Sequence, residues 1–231
     1  MLEMNAVDSF YGNSPVLQNI DLTVSDGEFF SVLGRNGVGK TALMRTVMGL
    51  TDRSTGQLVF NGEEIGKLPT NLRAKKGIAY VPQGRGILPK FSVRENILMG
   101  TFSRTDGLRE MPEKILDMFP YIKENLHRQA GNLSGGQQQQ LAITRALAGN
   151  PKTLLLDEPT EGIQPNIVEQ IEQAIVSLNK EFHLTIILVE QNVNFARRAS
   201  DNYLILEKGR VAAKGDIKEL TDDVVNRHMT L

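Results

Sequence analysis

Residues 29–44, FFSVLGRNGVGKTALM, join an apolar run to a glycine-rich stretch that leads into a helix-forming segment. The stretch contains the pattern G-x-x-x-x-G-K-T between Gly34 and Thr41. Glycines let backbone N–H groups turn inward around an anion, and a helix that begins there directs its positive end at the same point. An ordinary glycine-rich turn is the alternative, but every fixed position of the pattern is filled. The stretch therefore predicts a phosphate-binding P-loop.

Two residues at the end of this loop add chemistry of their own. Lys40 would place a point charge on the β- and γ-phosphates of a nucleotide. The Thr41 hydroxyl suits Mg²⁺, a hard ion that takes oxygen ligands. The predicted nucleotide-binding residues of the loop are Gly34, Arg35, Asn36, Gly37, Val38, Gly39, Lys40 and Thr41.

A second apolar run, within residues 153–162 (TLLLDEPTEG), ends in two adjacent carboxylates, Asp157 and Glu158. In P-loop proteins the first acid supports Mg²⁺, and the next polarises the attacking water when it lies within hydrogen-bond reach. A strand end followed by a helix-capping acid would look the same. Behind a complete P-loop, however, the pair predicts a metal-supporting Asp157 and a catalytic Glu158.

Residues 133–137 (LSGGQ) form a second turn suited to an anion. Ser134 could cap a helix or donate a hydrogen bond to a phosphate oxygen, and Gly135 and Gly136 would expose backbone N–H groups. The glutamines that follow are adequate helix formers. Taken alone, Ser-Gly-Gly is better explained as a plain N-cap with a solvated first turn, so another observation has to decide its role.

Buried strands alternate with helices along much of the chain. Continuous apolar runs, typical of parallel strands covered on both faces, occur at residues 29–33, 78–81, 154–156 and 185–189. Helices are expected at about 40–50, 137–149 and 165–181. This alternation indicates an α/β fold.

Other segments predict antiparallel strands and a helical insert. Residues 20–24 alternate apolar and polar residues, residues 5–10 and 58–60 could join that strand, and residues 204–206 and 210–212 flank a turn at 208–209. Residues 92–100 and 111–119 are expected to be helices, with no buried strand between about 92 and 132. We interpret that stretch as an insert rather than a separate domain.

The composition excludes several classes of protein. The formal net charge is −1, from 26 basic and 27 acidic residues, which argues against a protein that coats nucleic acid. The chain has no cysteine and only three separated histidines, so thiolate and histidine-rich metal sites are not expected. The N-terminus lacks the pattern of a signal peptide. The longest apolar run, Ile186–Val189, is far shorter than the roughly 20 residues that span a bilayer, so any membrane-spanning is expected from other chains.

Four motifs, in their order along the chain, resemble those of ATP-binding-cassette (ABC) ATPases: GRNGVGKT at 34–41, Gln83 in YVPQG, LSGGQ at 133–137 and LLLDEP at 154–159. The resemblance covers essentially all 231 residues, and LSGGQ together with a P-loop is highly specific. It implies an α/β fold with a P-loop NTPase core, a mixed central sheet, an antiparallel β subdomain and an inserted α-helical subdomain at about 84–135. It also implies one ABC ATPase domain over residues 1–231, with ATP and Mg²⁺ as cofactors.

In that family, two cassettes pack head to tail, and each LSGGQ turn closes over the ATP on the P-loop of the other. The resemblance therefore implies that Ser134, Gly135, Gly136 and Gln137 bind the nucleotide on the P-loop of a partner cassette. It places Tyr11 where an aromatic residue stacks on adenine, although a core tyrosine would fit equally well.

The resemblance also assigns catalytic roles to two glutamines. Gln83 matches the glutamine that reaches Mg²⁺ and the attacking water, and Gln191 stands where most members carry a histidine that contacts the γ-phosphate. Glutamine donates a hydrogen bond as histidine does, but it carries no charge. We therefore expect Gln191 to contact phosphate by hydrogen bonding only. A second departure is Gln164, where many members carry an aspartate at the dimer contact.

Three functional classes use cassettes or P-loops of this kind. A single cassette without a spanning helix or long linker fits the ATPase subunit of a membrane transporter. Cassette proteins that act on DNA or ribosomes usually carry two cassettes or long charged inserts, and a small-molecule P-loop kinase needs no LSGGQ turn. The transporter subunit is therefore expected.

Three stretches, GRNGVGKT, LSGGQQQQLAI and LDEPTEGIQPNIV, are more similar to the ATPases of urea or short-amide importers than to those of branched-chain amino acid importers. The resemblance implies uptake of urea or a related small polar solute, with branched-chain amino acids as the alternative. The implied partners are a sister ATPase subunit or a second copy of this chain, permease subunits and, indirectly, a solute-binding protein, at the cytoplasmic face of the membrane. Residues 84–100 are expected to dock permease helices. The apolar residues Ile87, Leu88 and Phe91 fit either this interface or the core of the insert, and the interface is favoured for the first two.

Overall fold

The computed structural model describes residues 1–229, in which the strands form a four-stranded and a six-stranded sheet. The strands are β1 (Leu2–Tyr11), β2 (Ser14–Val24), β3 (Phe29–Leu33), β4 (Arg53–Phe60), β5 (Glu63–Glu64), β6 (Ile78–Val81), β7 (Thr153–Asp157), β8 (Thr185–Val189), β9 (Asn202–Glu207) and β10 (Arg210–Asp216). The helices are α1 (Lys40–Met48), α2 (Thr70–Lys75), α3 (Val93–Gly100), α4 (Glu113–Met118), α5 (Pro120–Glu124), α6 (Gly135–Ala148), α7 (Pro165–Phe182), α8 (Val193–Ala199) and α9 (Asp222–Met229).

The larger sheet has the strand order β10-β9-β3-β8-β7-β6. Strands β6, β7, β8, β3 and β9 are parallel to one another, and β10 pairs antiparallel with β9. Every residue of β3, β7 and β8 is buried, because helices or the second sheet cover both faces. The mixed central sheet and its continuously apolar strands are therefore confirmed.

The two faces of this sheet contribute to different parts of the core. In β7, Leu154 and Leu156 pack in a cluster with residues of α6 and α7. Leu155, between them, points to the opposite face and packs with residues of α1 and the antiparallel strands. This alternation follows the two-residue period of a strand, and it holds the ends of β7 and its neighbours rigidly between two layers.

The smaller sheet is antiparallel and has the order β2-β1-β4-β5. The strand predicted at residues 20–24 is the second half of β2, and the stretches 5–10 and 58–60 lie in β1 and β4. Its buried side chains pack against the central sheet and α1 in one cluster. This confirms the antiparallel β subdomain. The stretches at 204–206 and 210–212 form β9 and β10, at the edge of the central sheet.

Between β6 and β7 the chain is helical. The helix expected at 111–119 begins only after Pro112 and ends at Met118, and α5 starts at Pro120. Proline lacks an N–H and disfavours a helical residue before it, and Phe119 adopts φ −128° and ψ 72°, so two short helices replace one. The boundaries of the insert, about 84–135, stay a prediction.

One buried guanidinium stabilises the end of α1. Arg73 is 2% exposed and donates to the carbonyl oxygens of Leu68, Gly66, Thr46 and Val47, each at 2.8 Å. The last two carbonyls belong to the final turn of α1, where a cation also favours the helix dipole. Burial lowers the pKa of the Arg73 guanidinium, yet five donors in a fixed fork keep it well satisfied.

We predict that Arg73→Leu lowers the free energy of unfolding by about 3 kcal/mol, because it leaves buried carbonyls without a donor. Urea unfolding of the full chain measures this. Lys75→Ala, on the exposed face of the same helix, is the matched control and should change stability by less than about 0.5 kcal/mol. Equal midpoints for the two variants would contradict the role given to Arg73.

Candidate nucleotide-binding site

The P-loop (residues 34–41) connects β3 to α1, and its glycines adopt conformations that other residues rarely reach. Gly34 has φ 144° and Gly39 has φ 114°. A Cβ on Gly34 would lie 2.6 Å from the carbonyl oxygen of Leu206, and one on Gly39 would lie 3.0 Å from that of Val16. Neighbouring backbone therefore presses on the loop from two strands, and only glycine fits at either position.

Two backbone hydrogen bonds fix the outer side of the loop. The N–H of Gly209 donates to the carbonyl oxygen of Val38, and the N–H of Gln18 donates to the carbonyl oxygen of Gly209, both at 2.8 Å. The turn between β9 and β10 is thus held between β2 and the P-loop. The turn at 208–209 was predicted, but its place at the site was not, because nothing local in the sequence shows where the turn packs.

An open cavity of about 490 Å³ lies on the P-loop. It is lined by Tyr11, Pro15, Val16, Asn36, Gly37, Val38, Gly39, Lys40, Thr41, Ala42, Gln83, Glu158, Lys208 and Gly209. A larger cavity of about 690 Å³ lies among α4–α7, and its lining includes Glu181 but no basic residue. The smaller cavity has the chemistry for a nucleotide, because it combines lysines, glycine N–H groups and an aromatic ring.

Lys40 is the central cation of this cavity and is only 4% exposed. Its Nζ donates to the carbonyl oxygens of Gly34 at 2.9 Å and Arg35 at 3.0 Å. It also forms an ion pair with Glu158, with 3.2 Å between Nζ and Oε1. The ammonium is therefore already paired within the chain, and an incoming phosphate would take over some of these contacts.

Asp157 ends β7 beside the loop and is 1% exposed. Its two oxygens accept hydrogen bonds from Thr41 Oγ1 at 3.1 Å and Tyr80 OH at 3.0 Å. Burial raises the pKa of the Asp157 carboxyl, and the hydrogen bonds from Tyr80 and Thr41 act against that rise. Burial and the neighbouring Asp157 raise the pKa of Tyr80, so its hydroxyl remains a donor.

Tyr80 was missed by the sequence analysis, although it lies in the predicted strand at 78–81. It pairs in register with Leu155 across the parallel β6–β7 ladder, which brings its hydroxyl to the carboxyl end of β7. Thr41 lines the cavity and Asp157 lies directly behind it, with 3.1 Å between their oxygen atoms; oxygen is the ligand that Mg²⁺ prefers. The described residues thus fit a magnesium ion held jointly with a nucleotide.

The two predicted catalytic glutamines lie in different arrangements. Gln191 Nε2 donates to Asn36 Oδ1 at 2.6 Å and to Glu158 Oε1 at 3.2 Å, so Gln191 joins the P-loop to the end of β7. Gln83 lines the cavity, but its Nε2 donates to Glu161 Oε2 at 2.8 Å. The side chain of Gln83 is therefore held by the turn after β7.

The LSGGQ turn (residues 133–137) lies away from this cavity. Ser134 is the N-cap of α6: its hydroxyl accepts from the N–H of Gln137 at 3.4 Å, and the Gln137 side chain accepts from the N–H of Ser134 at 2.9 Å. Both residues line the larger cavity, and residues 133–137 do not line the P-loop cavity. Within the described chain, the two predicted anion-binding turns are therefore not brought together.

Tyr11 and Gln164 differ in their relation to the cavity, since Tyr11 lines it and Gln164 does not. The Tyr11 ring is partly buried, lines the cavity and lies 5.4 Å from the guanidinium carbon of Arg45. It thus has features of both the adenine-stacking and the core interpretation. Gln164 is exposed at the N-terminus of α7 and makes no side-chain cap, so its amide is available to other groups.

The amino-acid sequence matches a family model described as ABC transporter over residues 17–161. A branched-chain amino acid transport ATP-binding protein of Pseudomonas aeruginosa, BraG, is 40% identical over 91% of this chain and 91% of its own length. A probable branched-chain amino acid transport ATP-binding protein of Archaeoglobus fulgidus, LivF, is 36% identical over 96% and 94% of the two chains.

Solved structures support the same assignment. A dimeric ATP-binding cassette in a post-hydrolysis state, bound to ADP and Pi, is similar with a TM-score of 0.83 and 27% identity over 94% of this chain and 99% of that one. A nucleotide-free cassette from an ABC transporter shares the fold, with a TM-score of 0.83 at 24% identity over 97% of each chain. Within residues 1–229, no helix has both the length and the apolar character needed to cross a bilayer. The chain therefore belongs to the ABC transporter family, as one of its ATP-binding cassette ATPases.

Proposed function

We propose that this chain is the ATP-hydrolysing subunit of an importer for branched-chain amino acids. The nucleotide site carries the ATPase part of the proposal, since Lys40, Thr41, Asp157, Glu158 and Gln191 converge on the P-loop. The cargo rests on the relatives at 40% and 36% identity. The sequence-based preference for urea receives no support from these relatives, and the alternative of branched-chain amino acids is favoured.

Nucleotide binding would exchange one set of partners for another at the P-loop. The Lys40 ammonium would give up its contacts to the Gly34 and Arg35 carbonyls and to Glu158 in favour of the β- and γ-phosphate oxygens. The N–H groups of the loop and the N-terminus of α1 would face the same oxygens. Release of Glu158 from Lys40 frees a carboxylate at the place where the terminal phosphate would lie. Tyr11 would stack on the adenine at the outer end of the cavity.

Thr41 and Asp157 would hold the magnesium ion, and Gln83 would reach it after leaving Glu161. The ion would supply positive charge to the phosphates. Within residues 1–229, no group of three His, Cys, Asp or Glu side chains could hold a metal by itself. The remaining ligands would therefore come from the nucleotide and water, as is usual for Mg²⁺. The Tyr80 hydrogen bond fixes the Asp157 carboxylate for this task.

Glu158 would accept the proton of the attacking water, and the Gln191 amide would donate a hydrogen bond to the γ-phosphate. Both side chains already meet, with 3.2 Å between Gln191 Nε2 and Glu158 Oε1. The opposite side of the phosphates would be closed by Ser134, Gly135, Gly136 and Gln137 of a second cassette, because these residues lie outside the P-loop cavity of their own chain. The N-terminus of α6 would then direct its partial positive charge at the partner's nucleotide.

A groove of about 400 Å³ between the core and the helical segment is the proposed docking surface for permease helices at the cytoplasmic face of the membrane. Leu50, Leu88 and Met99 line it, and Met99 is 45% exposed. Ile87, expected at this interface, is partly buried and packs against the core cluster, so it does not belong to the proposed surface. A solute-binding protein would act through the permeases.

We predict that Glu158→Gln slows ATP hydrolysis by the assembled transporter at least 100-fold, because the water loses its proton acceptor. ATP with magnesium should still dimerise the variant cassettes, as measured by light scattering. Glu169→Gln, at an exposed position of α7, is the control and should hydrolyse at the wild-type rate. A fully active Glu158→Gln would remove this residue from the chemistry, and a variant that stays monomeric with ATP would remove the partner's turn from the site.

The cargo is tested by uptake. Deletion of the gene should abolish uptake of labelled leucine and leave uptake of labelled urea unchanged, and the wild-type gene should restore it. Restoration should fail with the Glu158→Gln gene. Loss of urea uptake with normal leucine uptake would overturn the branched-chain assignment and return the function to urea.

Docking is tested with Met99→Asp, since an exposed charge in an apolar groove costs the desolvation of that charge on contact. We expect the variant to lose at least tenfold in recovery with the permease subunits, while ATP-dependent dimerisation stays normal. Lys67→Asp, an exposed position outside both the groove lining and residues 84–100, is the control for added negative charge. Equal recovery of both variants would place the permeases elsewhere.

A further inference from the structure

A buried carboxylate that the mechanism does not use lies one residue before Gln191. Glu190 follows β8 and is 5% exposed. Its Oε1 accepts a hydrogen bond from Thr160 Oγ1 at 2.7 Å, and its Oε2 accepts from the N–H groups of Gln191 at 3.0 Å and Asn192 at 3.3 Å. Within the described chain it forms no ion pair, so hydrogen bonds alone compensate its burial.

Such a side chain is costly to bury unless each oxygen is satisfied. Burial raises the pKa of Glu190, and the three hydrogen bonds act in the opposite direction. The carboxylate fixes two segments at once, because Thr160 belongs to the turn after β7 while Gln191 and Asn192 belong to the segment after β8. Asn192 then caps α8, with its Oδ1 accepting from the N–H of Phe195 at 3.1 Å.

The turn at residues 158–163 contacts several parts of the proposed mechanism. It begins at Glu158, which has φ 47°, and its Glu161 holds the Gln83 amide. At its other end, Ile163 lies beside Gly136 of the LSGGQ turn, where a Cβ would be 3.4 Å from Ile163 Cγ2. A group that fixes this turn therefore also fixes the surroundings of the reacting phosphate.

We propose that Glu190 is a positioning residue for ATP hydrolysis: it ties the 158–163 turn, through Thr160, to the backbone that aims the Gln191 amide at Glu158 and Asn36. Glu190 does not itself touch the nucleotide. This inference rests on the roles proposed above for Glu158 and Gln191. Loss of the tie leaves the P-loop contacts to ATP intact but lets the Gln191 amide and the catalytic carboxylate drift apart.

The test compares Thr160→Val, which removes the hydroxyl at nearly constant shape, with Thr160→Ser, which keeps it. In the assembled transporter, we expect Thr160→Val to lower kcat about tenfold, the worth of one charge-assisted hydrogen bond, with KM for ATP within about twofold. Thr160→Ser should restore most of the loss. Thr23→Val, an exposed position on β2, is the matched control and should keep the wild-type rate.

A second readout does not depend on turnover. In the full chain without nucleotide, hydrogen exchange at the Gln191 and Asn192 amides should become faster in Thr160→Val and stay unchanged in Thr160→Ser. Glu190→Gln should retain most of the kcat, because its amide can donate to the Thr160 hydroxyl while its oxygen accepts from the backbone. Glu190→Leu should lose kcat at least as strongly as Thr160→Val.

The possible failures are separable. If Glu158→Gln and Gln191→Ala both hydrolyse ATP normally, the proposed site is wrong, and the role of Glu190 falls with it. If those two variants are impaired while Thr160→Val and Glu190→Leu keep the wild-type kcat, the site stands and the Glu190 proposal alone is overturned. A loss that appears in KM rather than kcat, or one that serine does not restore, also overturns it.

Discussion

The ion pair between Lys40 and Glu158 lies at the edge of the central sheet where the carboxyl ends of its parallel strands come together. Its lysine follows β3 and its glutamate follows β7, and the parallel arrangement of these strands puts both ends at one edge. Gln191 reaches the same edge from β8, and Gln83 from β6. Ligand sites of open α/β sheets form at such carboxyl ends. The buried strands and the layers that cover them keep this edge in place.

A site that neutralises its own charges can remain folded without a ligand. The Lys40 and Glu158 side chains are 4% and 9% exposed, and an isolated charge at that depth would be strongly unfavourable. In the proposed mechanism, this ion pair would keep Glu158 from acting as a base until phosphate binds, because the carboxylate that would take the proton is paired with the cation that would bind phosphate. A bound triphosphate would therefore have two effects: it would pair with the lysine, and it would release the proposed base.

The P-loop, the acidic strand end and the buried parallel strands could be predicted because each is encoded in a short continuous stretch. Contacts across the chain could not. Tyr80, Thr160 and Glu190 have no motif of their own, and only strand order and register bring them to the site. The end of α4 before Phe119 could have been predicted only by recognising that Pro120 starts a new helix. The prediction of the cargo had a weaker basis: the three stretches that favoured urea all lie in the nucleotide machinery, and none of them is expected to contact the solute.

The crowding of Gly34 and Gly39 has a consequence for energy transmission. The two glycines are pressed by backbone from β9 and from β2, which belong to different sheets, and Gly209 is hydrogen-bonded to both the loop and β2. The conformation of the P-loop is therefore fixed by contacts from both sheets. Coupling between two equilibria is reciprocal. If close packing of the two sheets favours nucleotide binding, a bound nucleotide stabilises the packing of the sheets by the same free energy. A force that separates the two sheets would lower the affinity of the P-loop for the triphosphate.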